Sequence, residues 1–327
     1  MMERKSGTAI DSDDDWDVEP EPVYAARSAP APAPAPPARE RPRVAEAPHV
    51  AFPYCGKPGH IPGLFCRSAL FGAHRSAASG CPAEILSIPA QGQYAIEFEG
   101  IPLSMRDKSI FESLVRLAKR ASHDLSADFH TSLSAIAVEA GAARGGRALD
   151  GITASLHRLQ TACIGYRLWD GTQGRGRLLG HFDVSASGLC ARFDSGLILD
   201  LFGKDKQFSI DSARRDSLDS PLAQWLHDFL STHNAGEKLT YDYLLSRSGF
   251  TARRKNFPAQ LVRALDAIHA IAPGLVASYA VAKPTQDSAK WTLCVASGGE
   301  KPSFEDPSKK GHGGARQALP RRGGVAL

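Results

Sequence analysis

The chain has 327 residues, enough for two domains with tails, and its 43% hydrophobic and 23% charged residues are those of an ordinary globular protein. A net charge of +4 excludes a histone-like polycation but permits a local basic face. The six scattered cysteines form no C-x-x-C pair and Met1 leads at once into a charged stretch, which together predict a reduced, cytoplasmic protein with no membrane segment.

Residues 1–60 are expected to form a disordered tail. Asp11 to Glu21 is an acidic cluster around Trp16, and Ala29 to Pro37 is an Ala-Pro alternation that favours an extended chain and cannot build a core. Cys55, His60, Cys66 and His74 could suggest zinc, but their spacing matches no common finger. Ile85–Ile88 and Tyr94–Phe98 are short strand candidates. Ser104 then opens a helix with Asp107 three residues on, a capping-box-like spacing, and Ile110, Leu114, Leu117 and Ala118 form its apolar stripe.

Ser132–Ala140 reads as a short helix, with Gly141, Gly145 and Gly146 supplying a turn. A longer helix from about Arg147 to Ala162 carries Leu149, Ile152, Leu156 and Leu159 at spacings of three and four, a stripe that Cys163 continues. A hairpin is expected next, Ile164–Asp170 and Leu178–Val184, around a Gly-rich turn with Arg175 and Arg177; Leu189–Phe193 extends the sheet. After a connection through Leu197–Phe202 and Lys204–Asp216 the pattern restarts. Pro221 suits the first turn of a helix whose buried face is Leu222, Trp225, Leu226, Phe229 and Leu230. Thr240–Ser248 is the next short helix and Ser248-Gly249 its turn. Thr251 can cap the next element, a longer helix striped by Phe257, Leu261, Leu265 and Ile268. Leu275–Ala282 and Lys290–Ala296 pair across a turn with Pro284 and Asp287.

Short helix, tight turn, longer helix and hairpin, given twice, is the order of a winged helix, whose second helix enters a DNA major groove while the hairpin grips the flanking backbone. The expected architecture is α+β: two tandem winged-helix domains, residues 61–203 and 204–296, between disordered tails of residues 1–60 and 297–327, the latter basic. Candidate DNA contacts in the first domain are Arg144, Arg147, His157 and Arg158, with Arg175 and Arg177 at the wing tip. In the second they are Thr251, Arg253, Arg254, Lys255 and Arg263. Arginine pairs bidentately with guanine or phosphate, and helix N-termini attract phosphate. Pro258 leaves two possibilities: the second recognition helix starts near Asn256, putting the basic trio on its entry turn, or it is kinked. No Walker loop, G-x-G-x-x-G, H-E-x-x-H or strand-nicking His pair occurs, so neither an enzyme nor a cofactor is expected.

From about Leu64 to Ala296 the chain resembles the TrfA-type plasmid replication initiator protein family. The segments that carry the likeness are Arg67-Ser-Ala-Leu-Phe71, the strand-strand-helix region ending in Leu117-Ala-Lys119, Leu156–Gly165, Ser195–Gly203 and Ser220–His233. The resemblance implies binding to repeated sites (iterons) in double-stranded origin DNA and opening of an adjacent A·T-rich stretch. It further implies cooperation with the host initiator DnaA, loading of the replicative helicase, and control by a homodimer that is inactive. Some such proteins contact the polymerase sliding clamp through a short hydrophobic motif. Ser68-Ala-Leu-Phe71 is a candidate for that motif or equally for a buried anchor of the first domain. The reading alternative to an initiator is a winged-helix transcriptional repressor that binds an operator as a dimer; a third is a scaffold that binds proteins.

Overall fold

The computed structural model of the protein describes residues 59–75, 83–90, 92–121, 127–233, 238–282 and 292–296. The acidic and Ala-Pro segments, Cys55, the C-terminal tail and the second wing turn with Pro284 and Asp287 lie outside the described residues. His60, expected at the end of a tail, begins a strand.

The described chain starts with β1 (His60–Pro62), α1 (Gly63–Cys66) and β2 (Phe71–Gly72). The antiparallel pair β3 (Glu84–Ile88) and β4 (Ala95–Gly100) comes after it, then β5 (Leu103–Ser104), which runs parallel to β2. Next is α2 (Met105–Ala121), whose start is set locally: the Asp107 carboxylate accepts hydrogen bonds from both the Ser104 backbone N–H and its hydroxyl at 2.8 Å. Of the expected stripe, Ile110, Leu114 and Ala118 are buried and Leu117 is half-buried; Phe111 and Val115 are buried beside them.

The first winged helix is built from α2, β6 (Phe129–Thr131), α3 (Leu133–Glu139) and α4 (Gly146–Thr161). It is closed by the hairpin β9 (His181–Ser185) and β10 (Gly188–Arg192). Its sheet has the order β6-β10-β9. Gly141 sits at φ +64° in the helix-turn-helix corner, a conformation that L side chains rarely adopt. Of the three glycines expected to make this corner, only Gly141 uses its freedom; Gly145 is the N-cap of α4 at φ −72°. Between α4 and β9 the chain inserts a further hairpin, β7 (Cys163–Arg167) and β8 (Gln173–Arg177), which leaves the winged helix and completes a second sheet of order β3-β4-β7-β8. The expected single wing is therefore two hairpins. The strand taken as an extension of the wing, around Leu189–Phe193, is the wing's own second strand, and Cys163 opens β7 instead of prolonging the α4 stripe.

A connection of α5 (Ser195–Gly203), β11 (Gln207–Ser209) and α6 (Ser212–Asp216) leads to α7 (Pro221–Leu230). The second winged helix repeats the order with α7, β12 (Lys238–Thr240), α8 (Tyr241–Ser248), α9 (Phe257–Ile271), β13 (Ser278–Ala282) and β14 (Thr292–Ala296). Its sheet, β12-β14-β13, matches the first strand for strand. Gly249 caps α8 at φ +62°. The two units thus share one topology, and the fold is α+β with tandem winged helices.

The segment from β1 to β2 ties them together. β1 pairs with β11, and the Asp205 carboxylate accepts from Leu64 N–H at 2.9 Å and Tyr94 hydroxyl at 2.7 Å. Trp225 of α7 donates its indole N–H to Ser68 O at 3.1 Å, and Ala73 N–H bonds Ser248 O at the end of α8 at 2.6 Å. Beneath this strap a buried ionic cluster joins α2 to α7. Lys108 Nζ lies 2.6 Å from Asp228, and Arg215 of α6 reaches Glu112 at 2.8 Å and Asp228 at 3.2 Å, with Lys108, Arg215 and Asp228 at most 1% exposed. Burial opposes charge on Asp228, but Lys108 and Arg215 overcome it and hold its carboxyl well below the usual carboxylate range. Burial likewise works against Lys108, and Asp228 together with Cys66 and Glu112 outweighs it, so its ammonium is held above its ordinary value. Cys66, 3.9 Å from the Lys108 ammonium, has its thiol pushed up to about 12 by burial.

Candidate nucleic-acid interface

In each unit the supporting helix is capped and the recognition helix is not. Ser132 Oγ accepts from Ala135 N–H at the start of α3, and Thr240 Oγ1 accepts from Tyr243 N–H at the start of α8. The N-cap of α4 is Gly145, which has no side chain to offer, and the N-cap of α9 is Asn256, whose side chain makes no capping hydrogen bond. A helix leaves its first N–H groups without intrahelical partners and carries partial positive charge there, so an uncapped N-terminus attracts anions. Cationic side chains stand beside both ends.

At α4, Arg144 and Arg147 flank the N-cap and are exposed. The outward stripe continues through Asp150 to His157, also exposed, whose ring lies 4.8 Å from Phe182 of β9 in an edge-on contact. That contact sets the wing against the recognition helix. The wing turn itself is Ser185 to Gly188, held by a 2.7 Å hydrogen bond between the Ser185 and Ser187 hydroxyls, and contains no basic residue.

At α9, a 3-10 turn of Arg254–Asn256 precedes the helix and Pro258 lies in its first turn, where its missing N–H costs nothing. The helix therefore starts at Phe257 unkinked, and Arg253, Arg254 and Lys255 form its entry turn. All three are exposed; Arg254 is ion-paired with Asp242 of α8, whereas Arg253 and Lys255 have no acidic partner among the described residues. Arg263 projects from the exposed side of α9. Thr251 is exposed in the loop and caps neither the 3-10 turn nor α9.

Three expected contacts are displaced. Arg158 is 5% exposed and grips the Asp107 carboxylate at 2.7 Å, with Ser155 Oγ at 3.0 Å, so it joins α4 to α2 inside the first unit. Arg175 and Arg177 are exposed but belong to β8 of the inserted hairpin and not to the wing; Arg175 pairs with Glu99 of the same sheet at 2.7 Å. The candidate clamp motif is an anchor: Ser68, Leu70 and Phe71 are each at most 1% exposed, and the segment packs between both units instead of within the first alone. Burial of the Leu70 and Phe71 side chains is worth roughly 1.5–3 kcal/mol each, and the Ser68 hydroxyl is spent on Leu64 O at 2.6 Å, which leaves nothing for a partner to hold. Among the described residues no helix is long and apolar enough to cross a membrane.

No family model matches this chain, and no curated protein matches it in sequence. It is similar in fold to a crystal structure of domains 2 and 3 of RctB in selenomethionine form, at 14% identity and a TM-score of 0.48, over 68% of this chain and 94% of that one. A second crystal structure of RctB domains 2–3 is similar at 11% identity and a TM-score of 0.42, with the same coverage.

Proposed function

We propose that the protein is a plasmid replication initiator. It binds repeated origin sequences (iterons) in duplex DNA through both winged-helix units, promotes opening of an adjacent A·T-rich region, and helps recruit host replication proteins. The observation that carries DNA binding is the pair of uncapped recognition-helix N-termini with exposed cationic side chains beside them, Arg144 and Arg147 at one and Arg253, Arg254 and Lys255 at the other. The initiator role, with DnaA and the replicative helicase as partners, rests on the resemblance to TrfA-type proteins. The work is binding and deformation, without covalent chemistry or a cofactor, in the cytoplasm. Strain from several copies on neighbouring repeats would favour melting of flexible A·T steps.

Two reading heads on one polypeptide favour direct repeats over a palindrome read by a repressor dimer. The test is footprinting on DNA flanking the gene, beside scrambled duplex, at several salt concentrations. Protection of direct repeats next to an A·T-rich patch is expected, with affinity falling steeply as salt rises. Equal binding to repeat and scrambled duplex would overturn the specific reading, and protection of a lone inverted repeat would favour repression.

A further inference from the structure

Both helix-turn-helix corners border one short segment, His74-Arg75, at the end of the strap. His74 lines a groove of 460 Å³ with Gly249, Phe250 and Thr251, the corner between α8 and α9. His74 and Arg75 also line a groove of 540 Å³ with Ala140, Gly141 and Ala142, the corner between α3 and α4. Arg106, in the first turn of α2, lines that second groove as well and reaches the first turn of the first recognition helix, its Nη2 lying 3.4 Å from Ala148 O. Arg75 and Arg106 are exposed and have no carboxylate partner among the described residues. Two acids also border the groove. The carboxylate of Asp216 is taken up by Arg215 at 2.9 Å and by the Ser109 hydroxyl at 2.7 Å, whereas Asp219 is exposed.

We infer that Arg75 and Arg106 form a phosphate-binding bridge between the two reading heads, gripping the DNA backbone that runs from one recognition helix to the other, while His74, whose Nδ1 donates to the Arg75 carbonyl at 2.8 Å, fixes the segment between the corners. The inference rests on the proposed DNA binding and adds residues to it. A duplex engaged by both corners passes the segment that borders both, and the cations there meet phosphate instead of bases. Their contribution is then independent of sequence.

The experiment is a salt titration of binding to repeat and scrambled duplexes by fluorescence anisotropy, with full-length protein. For the Arg75→Ala/Arg106→Ala variant we expect affinity to fall about five- to tenfold per arginine at 0.1 M salt, equally for both duplexes, and the salt slope to become shallower by about two. Arg106→Lys keeps the charge but loses the guanidinium reach to Ala148 O, so it should retain the wild-type slope. Asp219→Asn removes the opposing charge and should tighten binding. Unchanged slope and affinity in the double arginine variant, or loss confined to the repeat duplex, would overturn the bridge while leaving the DNA-binding proposal intact. Failure of the wild-type protein to prefer the repeat would instead overturn the proposal beneath it. A thermal melt of each variant separates loss of contact from loss of fold.

Discussion

The two winged helices share an order of elements and a sheet topology, yet they distribute charge and support differently. The first is braced by an inserted hairpin that builds a second sheet and by the Arg158–Asp107 pair fastening its recognition helix to α2. Its outward face is electrostatically mixed, with Asp150 following Arg144 and Arg147. The second lacks the insertion and concentrates Arg253, Arg254 and Lys255 on the turn that enters α9, with Arg263 further along. An arginine on a recognition helix is thus structural in one place and available to a ligand in another, and burial separates the two. The same topology can put its long-range attraction in one unit and its rigidity in the other.

The largest effect should come from the cluster that holds the units together. Asp228→Ala leaves Lys108 and Arg215 buried without their shared counter-charge and should cost about 3–5 kcal/mol in urea unfolding, whereas Lys108→Met with Asp228→Leu should cost much less. The pH dependence has a definite sign. Asp228 is held below its ordinary 3.8, so its stabilisation is complete above that value and is lost as pH falls towards its folded pKa. Lys108 is held above its ordinary 10.5, so its share is complete below that value and is lost as pH rises through its folded pKa. The Cys66 thiol, raised from 9.0 to about 12, makes stability decline as pH climbs above 9.0. A denaturation series across pH that stayed flat below pH 3.8 in the wild type would contradict this account of the cluster.

Arg158→Ala and Arg147→Ala sharpen the contrast between a structural and an exposed arginine on one helix. The first strands the buried Asp107 carboxylate and should lower stability by about 3–5 kcal/mol; the second should leave the melting temperature within a degree or two and weaken specific DNA binding. Equal stability of the two variants would show that the pair between α4 and α2 contributes nothing.

The charge asymmetry predicts that Arg253→Ala/Arg254→Ala/Lys255→Ala reduces the salt slope of DNA binding by about three, against about two for Arg144→Ala/Arg147→Ala. A larger loss from the first unit would reverse the assignment of long-range attraction. The smallest effect should be Thr240→Ala, which uncaps α8 and should cost about 1 kcal/mol in thermal unfolding with little change in DNA affinity.

Apolar periodicity by itself located α2, α4, α7 and α9, because each buries a stripe against its own unit and that requirement is written at spacings of three and four. Local side-chain chemistry placed the Ser104–Asp107 start, the Thr240–Ser248 helix and the Gly249 corner, since each involves neighbours along the chain. Strand pairing was decided only in three dimensions. Gln173-Gly-Arg-Gly-Arg177 has no apolar alternation, and nothing local says that β7 joins β4 while β9 joins β10. The fate of Arg158 depended on Asp107, 51 positions away, and the position of His74-Arg75 between two corners depended on the packing of the strap. Periodicity tells a residue which face it shares. Which charged side chains lose their water, and which meet across the fold, is settled by contacts distant in sequence.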